Sequence, residues 1–209
     1  MTNYAHMYRF GIRPWERYGV TAAASIAALL DREEAERPRP LGRALDVGCG
    51  RGQYTPELAR RGWQTIGIDY VPAAIEAAKR RDADGARYVV GDVTDLPAAG
   101  LGTFDFFLDI GCFQGLNGNQ RSAEGQGVTA LANPEATMLM LAFGPTRLRS
   151  VLGGANRRDV ETAFAEWEML AVEAADTAGL GWPMNRTAPQ WYRMGRRAQR
   201  DTFPARLVP

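Results

Sequence analysis

Histidine and lysine are nearly missing from this 209-residue chain: His6 and Lys79 are single occurrences, and Cys49 and Cys112 are the only cysteines. Two thiols make no disulfide framework in a chain of this length, and each lies in an apolar or glycine-rich stretch that suits a small buried residue. No His/Cys cluster has metal-ligand spacing, and magnesium would need the oxygens of Asp92, Asp95 and Asp109 together. No metal is therefore expected. Long hydrophobic runs are lacking too, since no window approaches the roughly 18 apolar residues of a membrane span. The opening MTNYAHMYRF has no basic segment followed by an apolar run, so the expectation is a soluble, cytoplasmic protein with no membrane partner. Net charge is only +1 and the basic residues are scattered. That omits the electrostatic footprint of non-specific nucleic-acid binding and argues against DNA or long RNA as a partner. The near-total replacement of lysine by arginine, beside many alanines, fits GC-rich bacterial coding and carries no mechanism. There is no internal repeat and no low-complexity tract.

With 45% apolar residues, the chain can bury one full core, and residues 1–209 read as a single domain. Pro14 opens a helical segment that runs to about Leu30, with Asp31 beyond it. The charged, proline-rich stretch Arg32–Gly42 then reads as a linker. Together residues 1–42 form an N-terminal helical lid and its connection to a core over residues 43–200. Strand-like runs follow at Arg43–Val47, Gln64–Ile68, Arg87–Val90, Phe104–Asp109 and Thr137–Phe143, separated by helix candidates such as Pro56–Arg61 and Pro72–Arg81. This alternation predicts an α/β, doubly wound, mostly parallel sheet. After Pro145 the pattern changes. A helix over Asn156–Phe164 starts at an Asn cap with Asp159 at its third position. Trp167–Val172 and Trp191–Arg196 read as two more strands, making seven with an antiparallel C-terminal hairpin. Between these two, Thr177–Pro189 is too rich in glycine and proline for regular structure.

The stretch LDVGCGRGQY, Leu45–Tyr54, followed by IGIDY ending at Tyr70, carries the most information. A glycine loop after a strand brings backbone N–H groups close to a polar ligand. Asp46 stands two residues before that loop, where it would repel the pyrophosphate of a dinucleotide. Gly48, Gly50 and Gly52 are spaced G-x-G-x-G and so fail the dinucleotide fingerprint at its third glycine. Asp69 lies about twenty residues beyond the loop, where either cofactor class needs a ribose-hydroxyl acceptor. Two acids at these places suit a ligand with an ammonium at one end and a ribose at the other, which describes S-adenosylmethionine. Asp92, after the strand ending at Val90, is a third acid at the same sheet edge. It is either an adenine contact, with Val93 beside it, or an ordinary turn residue.

The blocks LDVGCGRGQY, IGIDYVPAAIEAAKRR, GDVTDL and FDFFLDIGCFQGL, in this order, resemble the Rossmann-like class I S-adenosylmethionine-dependent methyltransferases over about Trp15 to Arg196. The Pro14-Trp15 entry and the LDIGCF segment resemble the branch of small bacterial enzymes that includes thiopurine and tellurite-resistance methyltransferases. The resemblance implies that Asp46, Gly48, Cys49 and Gly50 face the methionine part of the cofactor. It puts Asp69 on the ribose, Tyr70 on the adenine face, Asp92 and Val93 at the adenine edge, and Trp15 over the cofactor as a lid. S-adenosylhomocysteine would be the product.

The acceptor side is less explicit. Asp109, closing the fourth strand, is either a structural cap or an active-site residue beside the transferred methyl. Members of this branch often carry a histidine where this chain has Gln114, which can orient a hydroxyl but cannot take its proton. His6, among Tyr4, Tyr8, Phe10 and Trp15, is the remaining candidate base if the N-terminus closes over the site. Arg13, Arg147 and Arg149 are candidates to hold an acidic acceptor, or belong to a solvated face. Trp182, Pro183 and Met184 line an acceptor pocket or pack on the core. The expected activity is transfer of a methyl group to a small molecule, with a hydroxyl oxygen of a natural product or sugar as first expectation. A thiol, halide or metalloid acceptor, or a non-catalytic S-adenosylmethionine-binding protein of the same fold, are the alternatives.

Overall fold

A computed structural model describes residues 21–35, 37–82, 85–145, 153–178 and 184–197. Helix α1 (Ala23–Glu34) precedes strand β1 (Arg43–Val47), helix α2 (Thr55–Arg61), β2 (Gln64–Asp69), α3 (Pro72–Arg81) and β3 (Arg87–Val90). Then come β4 (Phe104–Ile110), α4 (Gly118–Leu131), β5 (Ala132–Ala142), α5 (Arg157–Ala163), β6 (Trp167–Ala174) and β7 (Gln190–Arg196). Short 3₁₀ turns occupy Val93–Ala99, Phe113–Gly115 and Met184–Arg186.

The strands form one seven-stranded sheet in the order β3-β2-β1-β4-β5-β7-β6. β1 to β5 pair in parallel, and β7 lies antiparallel between β5 and β6. This is the expected doubly wound sheet with its C-terminal hairpin. The chain winds outward from β1 to β3, then returns to place β4 on the other side of β1. Connections therefore diverge at β1 and β4, and a crevice opens at their carboxyl ends.

Side chains alternate across the sheet and feed two apolar layers. Leu45, Val47, Ile68 and Phe107 pack with Val128 and Leu131 of α4 and with Val160 of α5. Ala44, Phe106 and Leu108 pack on the other face with Ile26 and Leu30 of α1, Leu58 of α2 and Trp63, and the Trp63 ring stacks on Phe106 at 5.1 Å. Ends are set by local chemistry. Pro72 begins α3, while Gly62 in the left-handed conformation stops α2. Reciprocal capping boxes start α4 (Asn117 with Gln120) and α5 (Asn156 with Asp159).

The structure corrects the sequence reading in three places. Helix α1 continues through Asp31 to Glu34, so the connection to β1 is shorter than Arg32–Gly42. Its last turn is held down rather than solvated. Glu33 accepts hydrogen bonds from Arg37 Nη2 (2.7 Å), Arg193 Nε (2.7 Å) and the Thr137 hydroxyl, and Glu34 accepts from Trp63 Nε1 (2.9 Å). Strand β5 begins at Ala132 instead of Thr137, across a bulge opposite Phe104 and Phe106. Helix α4 was not anticipated at all. Among the described residues, no helix is long and apolar enough to cross a membrane.

Candidate active site

The crevice at the carboxyl ends of β1, β2 and β4 collects the acids singled out in the sequence. Asp46 is the fourth residue of β1, Asp69 the last of β2, and Asp109 the sixth of β4. All three are buried. Asp92 follows β3 at the same edge and caps the turn beginning at Val93.

The glycine loop leaves β1 with Gly48 at φ 69° and Gly50 at φ 55°, conformations that glycine adopts at no steric cost. At Gly48 there is also no room. A Cβ there would lie 2.7 Å from both Cβ and Sγ of Cys112, so the loops after β1 and β4 touch through a glycine and a cysteine. The Gly50 N–H donates to Asp69 Oδ2 at 2.9 Å, and the Val71 N–H donates to Asp69 Oδ1 at 2.8 Å. Asp69 thereby ties the loop to the entry of α3. Cys49 is buried, and its N–H donates to the Ile68 carbonyl.

Asp46 points toward α2, where the Thr55 hydroxyl donates to its Oδ2 at 2.6 Å. Burial, with the charges of Asp109 and Asp69 adding to it, pushes its carboxyl up to about 7. Burial likewise raises Asp69 above the usual carboxylate range, against the pull of its two N–H donors. The donors just named are all neutral. The crevice therefore concentrates negative charge that a cationic ligand would relieve, at the place where the sequence put an ammonium-bearing ligand.

Farther along the edge, the Thr94 N–H (2.9 Å) and hydroxyl (2.8 Å) both donate to Asp92 Oδ1, and Val93 is buried. Tyr70 and Val90, 41% and 49% exposed, present apolar surface beside Asp69 and Asp92.

The two acceptor-side candidates among the described residues are turned inward. Asp109 is fully buried and accepts from the Cys112 N–H (2.8 Å, Oδ1) and the Phe113 N–H (3.0 Å, Oδ2). Gln114 donates from Nε2 to the Gly111 carbonyl at 2.9 Å, and its Oε1 accepts from the Phe143 N–H at 3.2 Å. It bridges the ends of β4 and β5. His6, Trp15, Arg13, Arg147, Arg149, Trp182 and Pro183 lie outside the described residues. Among the described residues, no group of three or more His, Cys, Asp or Glu side chains is placed to hold a metal.

Sequence reasoning passed over Thr55, Arg121 and Glu124. Thr55 follows the glycine loop at the start of α2, and a hydroxyl beside an acid of the loop was the available signal. Arg121 and Glu124 lie on the unanticipated helix α4 and had none.

Residues 45–132 match the methyltransferase domain family. The segment holds the glycine loop and the acids Asp46, Asp69, Asp92 and Asp109. Over this segment, less than half of its length, the chain is similar to methyltransferase domains. It is 32% identical over 111 residues, 52% of this chain and 49% of the relative, to 2-heptyl-1-hydroxyquinolin-4(1H)-one methyltransferase of Mycobacteroides abscessus. The chain superimposes on an S-adenosylmethionine-dependent methyltransferase from Clostridium acetobutylicum with a TM-score of 0.69 at 11% identity, over 93% of this chain and 98% of the other. For magnesium protoporphyrin IX methyltransferase from Synechocystis, solved with S-adenosylmethionine bound, the TM-score is 0.64 at 15% identity, over 94% and 85% of the two chains. The chain spans less than half the length of the curated relatives it matches, and their names include both a ubiquinone biosynthesis O-methyltransferase of Xanthomonas campestris and an 18S rRNA (guanine-N(7))-methyltransferase of Mus musculus.

Proposed function

We propose that this chain transfers a methyl group from S-adenosylmethionine to an acidic oxygen of a small molecule and releases S-adenosylhomocysteine. One observation carries the reading: the glycine loop is bracketed by buried Asp46 and Asp69, whose hydrogen-bond donors are neutral. A carboxylate-lined loop repels a pyrophosphate and favours a sulfonium- and ammonium-bearing donor. When bound, that donor supplies an electrophilic methyl group. Asp69 keeps lone pairs for the ribose hydroxyls beyond the two given to Gly50 and Val71. Tyr70 and Val90 offer apolar surface to the adenine ring, with Asp92 and Val93 at its edge. Gly48, Cys49 and Gly50 wall the methionine end, and Asp46 supplies the charge opposite it.

In methyl transfer from a sulfonium, charge is lost on the way to the transition state. The protein then contributes by holding the reactants in line in a dry pocket. Asp109 and Gln114 are buried and turned onto the backbone of the loop after β4, away from an acceptor. This supports an acceptor whose hydroxyl ionises near neutral pH, a phenol or N-hydroxy heteroaromatic, over an aliphatic sugar hydroxyl. The resemblance of the LDIGCF segment to small-molecule methyltransferases agrees with it, as does the net charge of +1. The same commitment of Asp109 and Gln114 favours a thiol as second acceptor class. Measuring S-adenosylhomocysteine formation with phenol, N-hydroxy heteroaromatic, thiol, sugar and RNA acceptors tests the reading. Turnover of phenols or N-hydroxy compounds is expected. Turnover confined to sugars or RNA refutes the acceptor class, and binding without any product leaves a non-catalytic S-adenosylmethionine-binding protein.

A further inference from the structure

Helix α4 sends a second acid against the same edge of the sheet. Glu124 is fully buried, and neither of its carboxyl oxygens receives a hydrogen bond from a donor. Its neighbour is the equally buried Asp109. Two ionised carboxylates side by side in an apolar layer would each repel the other with no donor to offset it. One proton removes the conflict, because it turns the repulsion into a hydrogen bond between the two groups.

The choice of which acid holds the proton follows from their partners. Both oxygens of Asp109 accept backbone N–H groups, from Cys112 and Phe113, and an ionised carboxylate does this best. Glu124 has no such donor, and burial together with the charge of Asp109 drives its carboxyl well above the usual range. Among the described residues, the other charged or titratable groups that act on the pair are Arg121 on α4, Asp46 on β1 and the Cys112 thiol. Arg121 is already spent. Its Nη2 donates to the carbonyls of Gln114 (3.1 Å) and Gly154 (2.8 Å), its Nε to that of Phe113 (3.3 Å), and its Nη1 pairs with Asp159 at 3.4 Å.

We infer that Glu124 is a positioning residue: as a neutral acid it donates its proton to Asp109, and through Asp109 it sets the loop after β4. Arg121 and Glu124, one turn apart on α4, then grip that loop from both sides of its peptide groups. Arg121 takes the carbonyls of residues 113 and 114, and Asp109, held by Glu124, takes the N–H groups of residues 112 and 113. The loop carries Cys112, whose side chain fills the space over Gly48. The wall of the donor pocket is thus set from α4. The proton assignment rests on the structure alone, whereas its effect on donor binding rests on the function proposed above.

Infrared spectroscopy of the full chain with ¹³C in its glutamate carboxyls tests the proton. At pH 8 the wild type is expected to show the C=O stretch of a protonated acid, shifted by the label and missing in Glu124→Gln. A wild-type spectrum without that label-sensitive band overturns the inference, whether or not any variant folds. Calorimetry with S-adenosylmethionine tests the positioning. Glu124→Gln keeps an N–H for Asp109 and should bind within about threefold of wild type, whereas Glu124→Leu should bind roughly tenfold more weakly or worse. Glu124→Leu should nevertheless be at least as stable as wild type, since an apolar side chain replaces a buried polar one. Equal affinity of Glu124→Leu and wild type overturns the positioning role. Equal losses in Gln and Leu variants overturn it as well. If the wild type binds no S-adenosylmethionine, the proposed function fails while the infrared result stands by itself.

Discussion

Replacing Asp46 by Asn should stabilise the folded chain and weaken donor binding at the same time. Asp46 is 2% exposed, and its carboxyl rises from an ordinary 3.8 to about 7 in the fold. At 1.36 kcal/mol per pH unit, ionising it in the folded chain costs on the order of 4 kcal/mol more than in the unfolded chain. The folded state holds a proton between pH 3.8 and about 7 that the unfolded state has lost. Stability therefore falls as pH rises through that window and levels off above it. Asp69 and Asp109, also raised by burial, add slope of the same sign, and the substitution isolates the share due to Asp46. Asparagine keeps an oxygen for the Thr55 hydroxyl and carries no charge to desolvate. In urea titrations at pH 5 and pH 8, Asp46→Asn should lose much less stability between the two than wild type, and at pH 8 it should be the more stable protein. Calorimetry at pH 8 should show its affinity for S-adenosylmethionine reduced by roughly 2–5 kcal/mol, the usual consequence of removing one partner of a buried charge pair. A variant less stable than wild type at pH 8, or one that binds the donor equally well, would refute the electrostatic reasoning.

Three further substitutions probe the rest of the site. Asp69→Ala removes a ribose acceptor together with the anchor for the Gly50 and Val71 N–H groups, so donor affinity should drop by about 1–3 kcal/mol in calorimetry, less than for Asp46→Asn. Unchanged affinity would take Asp69 out of the site. Gly48→Ala should destabilise the chain by roughly 1–3 kcal/mol in denaturant titration. Adding Cys112→Ala should not restore it, because the Cys112 Cβ already lies 2.7 Å from the new methyl position. Gln114→Ala breaks the bridge between Gly111 and Phe143 and should lower stability by about 1–3 kcal/mol. The pH profile of kcat should keep its shape, since an amide takes no proton, and a profile that loses a limb would give Gln114 an acid-base role.

Strands β1 to β4 were legible because each is a short apolar run closed by glycine, aspartate or a polar turn. Helix α4 was not, and its glycines explain why. Gly125 breaks the helical pattern, yet a Cβ there would lie 2.0 Å from the Ala163 carbonyl oxygen, so glycine is required by the close approach of α5. Pro134 similarly masked the start of β5, where the bulge absorbs the irregularity. Glu33 and Glu34 sit in a charged stretch that reads as solvated, and Thr137 and Arg193, which bury Glu33, lie 104 and 160 residues away in the chain. Asp46, Gly48, Gly50 and Asp69 lie together at the carboxyl ends of β1 and β2, a placement that follows from the strand-then-glycine-loop spacing itself. The inward turn of Asp109 and Gln114 was hidden, since a strand-end Asp reads equally as cap or catalyst until its N–H partners are seen. Glu124 belongs to no motif and emerges only where α4 packs on the sheet and brings it beside Asp109.

An acid-lined glycine loop of this kind should bind a cationic, ribose-bearing methyl donor. Titration calorimetry of the full chain at pH 8 with S-adenosylmethionine, and separately with NAD, tests it most directly. Saturable one-to-one binding of S-adenosylmethionine and no binding of NAD are expected. Binding of NAD without S-adenosylmethionine, or of neither, would contradict it.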